Sequence, residues 1–511
     1  MNLRIAFSII ASVGSVGYAQ DRPNIIYIMC DDMGYGDLGC YGQQLISTPN
    51  IDRMASEGMR FTQAYAGSPV SAPSRACFMT GQHSGHTHVR GNLEYWGRQN
   101  LQQDLYGENA DYTCVGQEPY TTEHVIIPEI FKKEGYATAL FGKWAGGYEG
   151  SRSVPEKRGI DQFYGYICQF QAHLYYPNFL NRYDPKHFGD TATVRVTLDE
   201  NIRHPMSGSG YSERTQYSAD LIHQEALKWL DEQTPQKPFI GIFTYTIPHA
   251  ELRQPEDSIY NHYTEIFRDE HIFKGNANSR YNATDHAHAQ FAAMITRLDK
   301  QVGEILQLLK SKGLDDNTVV IFTSDNGPHE EGGADPSFFN RDGLLRGIKR
   351  ATYEGGIRIP FIVRWPKKVQ GGTINNHQFA FYDLMPTFCD IAGIRNYEKK
   401  YRNKSLANDY FDGISIYPTL TGDNRHQKQH DYLYWEFHET NMIAVRQGDW
   451  KLVVRSGNCE LYDLSTDIHE DRNIASQHPD IVRQLVRIVL REHTIPDPDV
   501  REAFEITLPE I

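Results

Sequence analysis

A serine that is to attack anything needs a base beside it, and Ser71 opens the run Ser71-Ala72-Pro73-Ser74-Arg75-Ala76-Cys77-Phe78-Met79-Thr80-Gly81 with none adjacent. Pro73 suits the first turn of a helix, where its missing N–H would be unsatisfied anyway, and Gly81 suits the far end. The spacing predicts a short helix between them, with Ser71 just ahead of its N-terminus. Backbone N–H groups and the positive end of the helix dipole would face whatever Ser71 carries, with Arg75 one turn along, so the local field favours an anion. Two further pairs, Asp31-Asp32 and Asp325-Asn326, offer only oxygen donors, and each ends a short apolar run. Such a set suits a hard divalent cation, Ca²⁺ in particular because it accepts crowded, irregular oxygen shells; Zn²⁺ would call for His or Cys. His83, His86 and His88 offer zinc-type donors, but no further ligand cluster accompanies them in the sequence.

The spacing Ser-x-Pro-Ser-Arg-x-x-x-Met-Thr-Gly resembles the maturation signature of type I sulfatases, whose first residue, Cys or Ser, is oxidised to formylglycine. The resemblance implies 3-oxoalanine at position 71, hydrated to a gem-diol whose one hydroxyl attacks the sulfur of a sulfate ester. The Ser form implies a radical-type maturase as partner. The family places its Ca²⁺ on positions matching Asp31, Asp32, Asp325 and Asn326, and the modified residue 71 would add one more oxygen. Phe141-Gly142-Lys143-Trp144 and the run from Leu345 to Gly356 look like further family signatures, in which Lys143 and Lys349 hold the sulfate alongside Arg75. His249 matches the general acid that protonates the leaving alcohol. One departure matters: many sulfatases carry a His after Gly-Lys-Trp that helps eliminate sulfate, and here the position is Ala145. His329 is a candidate for that work.

The runs Gly327 to Gly333, Pro248 to Leu252 and Arg90-Gly91-Asn92 look most like bacterial relatives of N-acetylgalactosamine-6-sulfatase. That implies an exo-acting enzyme on 6-O-sulfated galactose or N-acetylgalactosamine of host mucin or glycosaminoglycan. His173, His329 and His438 are candidate sugar contacts. Other sulfate positions on these sugars, or 6-O-sulfated N-acetylglucosamine, are alternatives. So is a two-zinc phosphohydrolase of the alkaline-phosphatase-like group, against which the Ser71 motif speaks. A non-catalytic glycan-binding module is a further alternative, but an inactive relative should have lost Ser71, the acidic pairs or the lysines.

Asn24 to Cys30, Ala137 to Phe141, Pro238 to Tyr245 and Thr318 to Phe322 are short, nearly continuous apolar runs, the mark of strands buried on both faces. Helical patterns alternate with them, the clearest placing Phe291, Ile295, Leu298, Val302, Ile305 and Leu309 on one stripe. The expected fold is α/β, and the resemblance makes it alkaline-phosphatase-like: a mixed, mostly parallel sheet sandwiched by helices, whose ligands gather beyond the carboxyl ends of the strands. Tyr397 to Asp409 reads as a loop. From about Asp431 four short strands and an amphipathic helix, Pro479 to Arg491, predict a small antiparallel sheet plus helix. The expected organisation is a signal peptide at 1–19, a catalytic domain at 20–430 and an α+β unit at 431–511.

The signal reading rests on Arg4, the apolar run Ile5 to Val16, and small residues Gly17 and Ala19 before the cut. It implies a secreted or periplasmic protein. That run is too short to span a bilayer, and no other stretch is apolar enough to cross one. A formal net charge of −14 over 511 residues argues against non-specific binding of nucleic acid or anionic membrane. A sulfated oligosaccharide would therefore have to be held by a few local cations. Seven dispersed cysteines do not read as a disulfide framework.

Overall fold

A computed structural model describes residues 22–96, 114–205, 209–268, 271–275, 281–341, 343–406, 409–495 and 506–510. The expected signal segment lies outside them. Ten of the described strands form one sheet: β1 (Asn24–Cys30), β2 (Met59–Phe61), β3 (Ala137–Lys143), β4 (Gln162–Tyr166), β5 (Phe179–Tyr183), β6 (Val194–Thr197), β7 (Phe239–Thr244), β8 (Thr318–Ser324), β9 (Phe361–Arg364) and β10 (Thr373–Asn375), in spatial order β10-β2-β9-β8-β1-β7-β3-β4-β5-β6. The five central strands, β8 to β4 in that order, are parallel. β9 and β5 join them antiparallel, so the sheet is mixed at both margins.

The unbroken apolar run of β1 follows from helices covering both faces. Ile26, Ile28 and Cys30 enter one core, with α1 (Pro49–Glu57), α4 (Ser218–Asp231) and α5 (Ala287–Ser311). Ile25, Tyr27 and Met29 enter the other, with α2 (Ser71–Thr80), α3 (Ile127–Lys133) and α6 (Leu384–Ile391). Successive side chains of a strand point to opposite faces, so a strand covered on both sides has no polar face to show. The six stripe residues of α5 are all buried. The expected loop at Tyr397 to Asp409 begins instead with a short helix, Tyr397–Tyr401, because Tyr397 is buried and packs edge-on against Phe411. Among the described residues no helix is long and apolar enough to cross a membrane. Cys30, Cys40, Cys77, Cys389 and Cys459 carry free thiols.

Toward the C-terminus, β11 (Leu433–Phe437), β12 (Met442–Gln447), β13 (Trp450–Arg455) and β14 (Asn458–Asp463) make an antiparallel meander. α7 (Pro479–Glu492) packs Leu485, Val486, Ile488 and Val489 onto one of its faces. The other face meets Tyr65, Tyr353 and Ile357 of the main body, and at that junction Lys451 is enclosed between Glu354 at 2.9 Å and Glu470 at 3.0 Å.

Burial opposes ionisation of Glu354, Glu436 and Glu492, yet Lys451, Arg90 and His83 respectively outweigh it and hold each at about 2, from an ordinary 4.5. A carboxyl depressed in this way stabilises the folded form above 4.5 and loses that contribution as pH falls towards 2. Acidification through that window is expected to release the C-terminal unit before the main sheet unfolds. The measurements are protease cleavage in the exposed 422–431 connection and solvent exposure of Trp435, now buried with its indole N–H on Ala66 O at 2.8 Å. Loss of both units at one pH would count against it.

Candidate active site

The carboxyl ends of the central parallel strands carry the chemistry. β1 runs straight into Asp31 and Asp32, β8 into Asp325 and Asn326, β3 ends on Lys143, and β7 leads to His249. α2 aims its first turn at the same point. Ser71 is the first residue of that helix rather than the residue ahead of it, with Val70 as the extended N-cap. Gly81 ends the helix at φ 69, the left-handed conformation glycine adopts without penalty. Asp32 has φ 63, a conformation that Asp and Asn tolerate better than other side chains.

Asp31 Oδ1 accepts the Ser71 hydroxyl at 2.9 Å. Arg75 donates to Asp325 Oδ2 through Nε at 3.0 Å and Nη2 at 2.7 Å, and lies 3.4 Å from Asp31. The Lys143 ammonium pairs with Asp31. Lys349 Nζ donates to Asp32 Oδ2 at 2.8 Å and Glu331 Oε2 at 3.1 Å, and meets His249 Nε2 at 3.0 Å. The Nδ1 of His249 faces Ala250 O, which can only accept. That ring nitrogen therefore carries a proton and leaves Nε2 to accept from Lys349.

Electrostatics follow from dense charge out of water. Burial would raise Asp31, but Lys143 and then Arg75 hold it well below the usual carboxylate range. Burial, with Asp31 alongside, pushes Asp325 up to about 6. Burial and then Lys349 push His249 down, so it is neutral at neutral pH. Asn326 donates to Asp32 Oδ1 at 2.7 Å and to Gly327 O at 2.9 Å, while its buried Oδ1 has no partner. A bare amide oxygen beside three carboxylates is a donor that a hard, oxygen-seeking cation would complete. The residues present therefore fit a divalent metal.

A cavity of about 610 Å³ opens over this cluster, with Ser71, Lys143, His173, His249 and Lys349 in its wall. His173 stacks on His249 with centroids 4.6 Å apart and rings 6° from parallel, and its buried Nδ1 has no partner. Burial and then His249 hold its pKa well below the ordinary histidine value. His329 lies outside the wall: Nδ1 accepts the Glu331 N–H at 3.1 Å and Nε2 donates to Pro248 O at 3.2 Å. Both nitrogens serve the backbone, and burial pushes this ring down to about 3. His438 also lies outside the wall. Its Nδ1 faces Arg90 O at 3.3 Å and its ring occupies the space a Cβ on Gly91 would need. Its neighbour Glu439 lines the cavity instead.

Sequence reading gave no role to Glu331, Asn92, Gln169, Tyr281, Arg350 or Glu439, all in that wall. Asn92 and Glu331 fall inside runs already singled out, whereas Gln169 and Glu439 carry no local pattern. The three clustered histidines separate. His83 and His86 meet Asp412 and Glu492, and His88 pairs with Glu118 at 3.1 Å. His83 Nδ1 accepts the Gly85 N–H at 3.1 Å, so Nε2 donates to Glu492 at 3.3 Å, and the ligand atoms of His83, His86 and Asp412 lie close enough together to share a metal ion.

A two-faced α/β sheet whose strand ends gather acids, cations and a helix-borne hydroxyl defines an ester hydrolase of the alkaline-phosphatase-like class. Residues 23–394 match the family described as Sulfatase, and residues 348–493 match N-sulphoglucosamine sulphohydrolase, C-terminal. The chain belongs to the sulfatase family and is a sulfuric ester hydrolase. It is similar to an N-acetylgalactosamine-6-O-sulfatase of Bacteroides thetaiotaomicron, at 31% identity over 93% of each chain. It is also similar to the human N-acetylgalactosamine-6-sulfatase, at 28% identity over 79% of this chain and 66% of that one. Among solved structures, Ps i-CgsB superimposes with a TM-score of 0.71 at 25% identity, covering 93% of this chain and 94% of that one. BT33336S-sulf of Bacteroides thetaiotaomicron does so with a TM-score of 0.67 at 26% identity, over 92% and 99%.

Proposed function

We propose that this sulfatase removes 6-O-sulfate from a terminal galactose or N-acetylgalactosamine of host mucin or glycosaminoglycan chains. The observation that carries the reading is the convergence of Ser71, Lys143, Lys349 and His249 on one cavity of about 610 Å³, large enough for a sugar sulfate. The likeness to N-acetylgalactosamine-6-O-sulfatase supports the choice of sugar.

In this reading residue 71 is oxidised to formylglycine by a radical-type maturase, and its hydrate supplies the oxygen that attacks sulfur. Asp31 accepts a hydrogen bond from that residue's oxygen. Lys143 and Lys349, set on either side of the acidic floor, grip the sulfuryl oxygens, and Arg75 fixes Asp31 and Asp325 from below. Asp31, Asp32, Asp325 and Asn326 would hold Ca²⁺ with the oxygen of residue 71, and that ion would polarise the sulfate and favour the ionised hydrate. The leaving sugar oxygen departs toward His249: the anionic sulfate raises the affinity of its Nε2 for a proton, and the ring, once protonated there, passes that proton to the oxygen. His173, stacked on His249, is the histidine positioned to touch the sugar. Export to the periplasm or beyond matches such a substrate.

His249→Ala is expected to slow release from a sugar sulfate by about 10²–10⁴, and to slow an activated aryl sulfate much less, because a good leaving group needs no proton. Equal losses on both esters would remove the acid role. The test of the whole proposal is a panel of 3-, 4- and 6-O-sulfated galactose, N-acetylgalactosamine and N-acetylglucosamine with matured protein. Turnover of the N-acetylglucosamine ester alone would overturn the sugar assignment.

A further inference from the structure

A second cavity, of about 500 Å³, lies behind the segment that carries His249 and takes no part in the proposed chemistry. Tyr176, Tyr211, Arg214, Arg253, Gln254 and Gln290 form its wall. Both guanidinium groups lie over the Tyr211 ring, Arg253 at 5.2 Å and Arg214 at 5.7 Å from its centroid. Arg214 is buried, and its donors end on the carbonyls of His204, Pro205 and Tyr176 and on Asn178 Oδ1. Among the described residues no carboxylate forms an ion pair with either arginine. Buried Glu251 acts on both through space, and with the Arg214 donors spent, half-buried Arg253 is the cation left to meet a ligand's anion.

The wall also holds unspent hydrogen-bonding capacity. Gln254 is 2% exposed and Gln290 6% exposed, and Gln254 Nε2 and Gln290 Oε1 have no partner. Gln254 Oε1 is already taken by Arg297 at 3.3 Å, which fixes the amide's orientation. Native structures rarely leave such groups bare, because each forfeits about 1–3 kcal/mol unless something completes it. The other charges nearby are accounted for. Arg297 is neutralised by Asp220 and Asp257, Glu251 is buried and receives Tyr211 and Asn282, and Glu256 is exposed on the rim.

Aromatic faces, unspent amide groups and an arginine with no ion pair are the features that bind a sugar bearing an oxyanion. We propose that this cavity is a second saccharide site, which takes a sulfated or carboxylated sugar unit of the glycan. The inference rests on the carbohydrate reading above. Hydrogen bonds link the two cavities: Glu251 accepts from Tyr211 and from the Tyr175 N–H, and the Tyr175 hydroxyl donates to His249 O at 2.9 Å.

The test uses the full chain as Ser71→Ala, so that nothing is turned over, titrated calorimetrically with a 6-O-sulfated galactosaminoglycan tetrasaccharide and with its chemically desulfated counterpart. A second binding event is expected, weakened about tenfold by adding Arg253→Ala, the loss of one charge-assisted contact. Adding Gln254→Glu, which keeps the acceptor for Arg297 but repels an anion, should abolish it with the thermal midpoint unchanged. The desulfated chain tests the sulfate: it should keep the event only through its uronate carboxylates and lose it once these are reduced to alcohols. The proposal is overturned if Arg253→Ala and Gln254→Glu bind the tetrasaccharide as Ser71→Ala does, or if binding is indifferent to both anions. Failure of the carbohydrate reading shows separately, as release of sulfate from 4-nitrophenyl sulfate but from no saccharide.

Discussion

Ser71→Ala is expected to lose sulfate release from every ester by a factor on the order of 10⁴–10⁶, the scale seen when a nucleophile is deleted and only the binding groups remain. The fold should survive it. The Ser71 side chain makes one hydrogen bond, to Asp31, which keeps Lys143 and Arg75 as partners, so the unfolding midpoint should move little. Loss of activity without loss of stability is thus the signature of the nucleophile role. Activity within a hundredfold of wild type would remove residue 71 from the chemistry. An intact serine hydroxyl in natively produced, active protein would remove the formylglycine. Ser71→Cys separates nucleophile from maturation, because it should regain activity only in a host whose maturase accepts Cys.

The second large effect is on stability. Lys451 is fully buried and stands between Glu354 and Glu470, which are themselves buried. Lys451→Met keeps most of the volume but leaves Glu470 without a cation, facing a Glu354 that keeps Arg358 at 3.3 Å and Arg446 at 3.8 Å. Breaking a buried ionic cluster by removing one member costs about 3–5 kcal/mol, so urea unfolding should shift by that amount. Burial, with Glu354 nearby, already lifts Glu470 to about 7, and the missing ammonium would lift it further. Lys451→Met with Glu470→Gln should therefore recover part of the loss. A single variant within about 1 kcal/mol of wild type would show that the cluster contributes little.

Much of the centre of this molecule can be read in its residues, because its strands are buried on both faces and announce themselves as unbroken apolar runs. Each such run stops on the residues that do chemistry: Cys30 before Asp31, Ser324 before Asp325 and Gly142 before Lys143. The margins were less legible. β6 has no buried residue and β5 is only partly buried; they carry Asn, Arg and Thr and pair antiparallel to their neighbours, so they lack the continuous signal. Within the site, the metal-type carboxylates and the lysines sit in local motifs, but Glu439 and Gln169 reach the cavity only through tertiary packing. His329 and His438 illustrate the converse. A histidine in a motif need not face substrate, and these two spend their rings on backbone carbonyls and on the space over Gly91.

The burial of Ser71 bears on the order of events in the life of the chain. The residue is 4% exposed and bonded to Asp31, and the next residue, Ala72, donates to Asn92, which Gln169 also holds. A sugar end can enter that cavity, but the catalytic centre of another enzyme cannot. If the serine is to be oxidised by a maturase, the encounter must happen while the polypeptide is still extended, before β1 and β8 close beneath it. Slowing collapse during synthesis should then raise the yield of active molecules, whereas supplying maturase to finished protein should not.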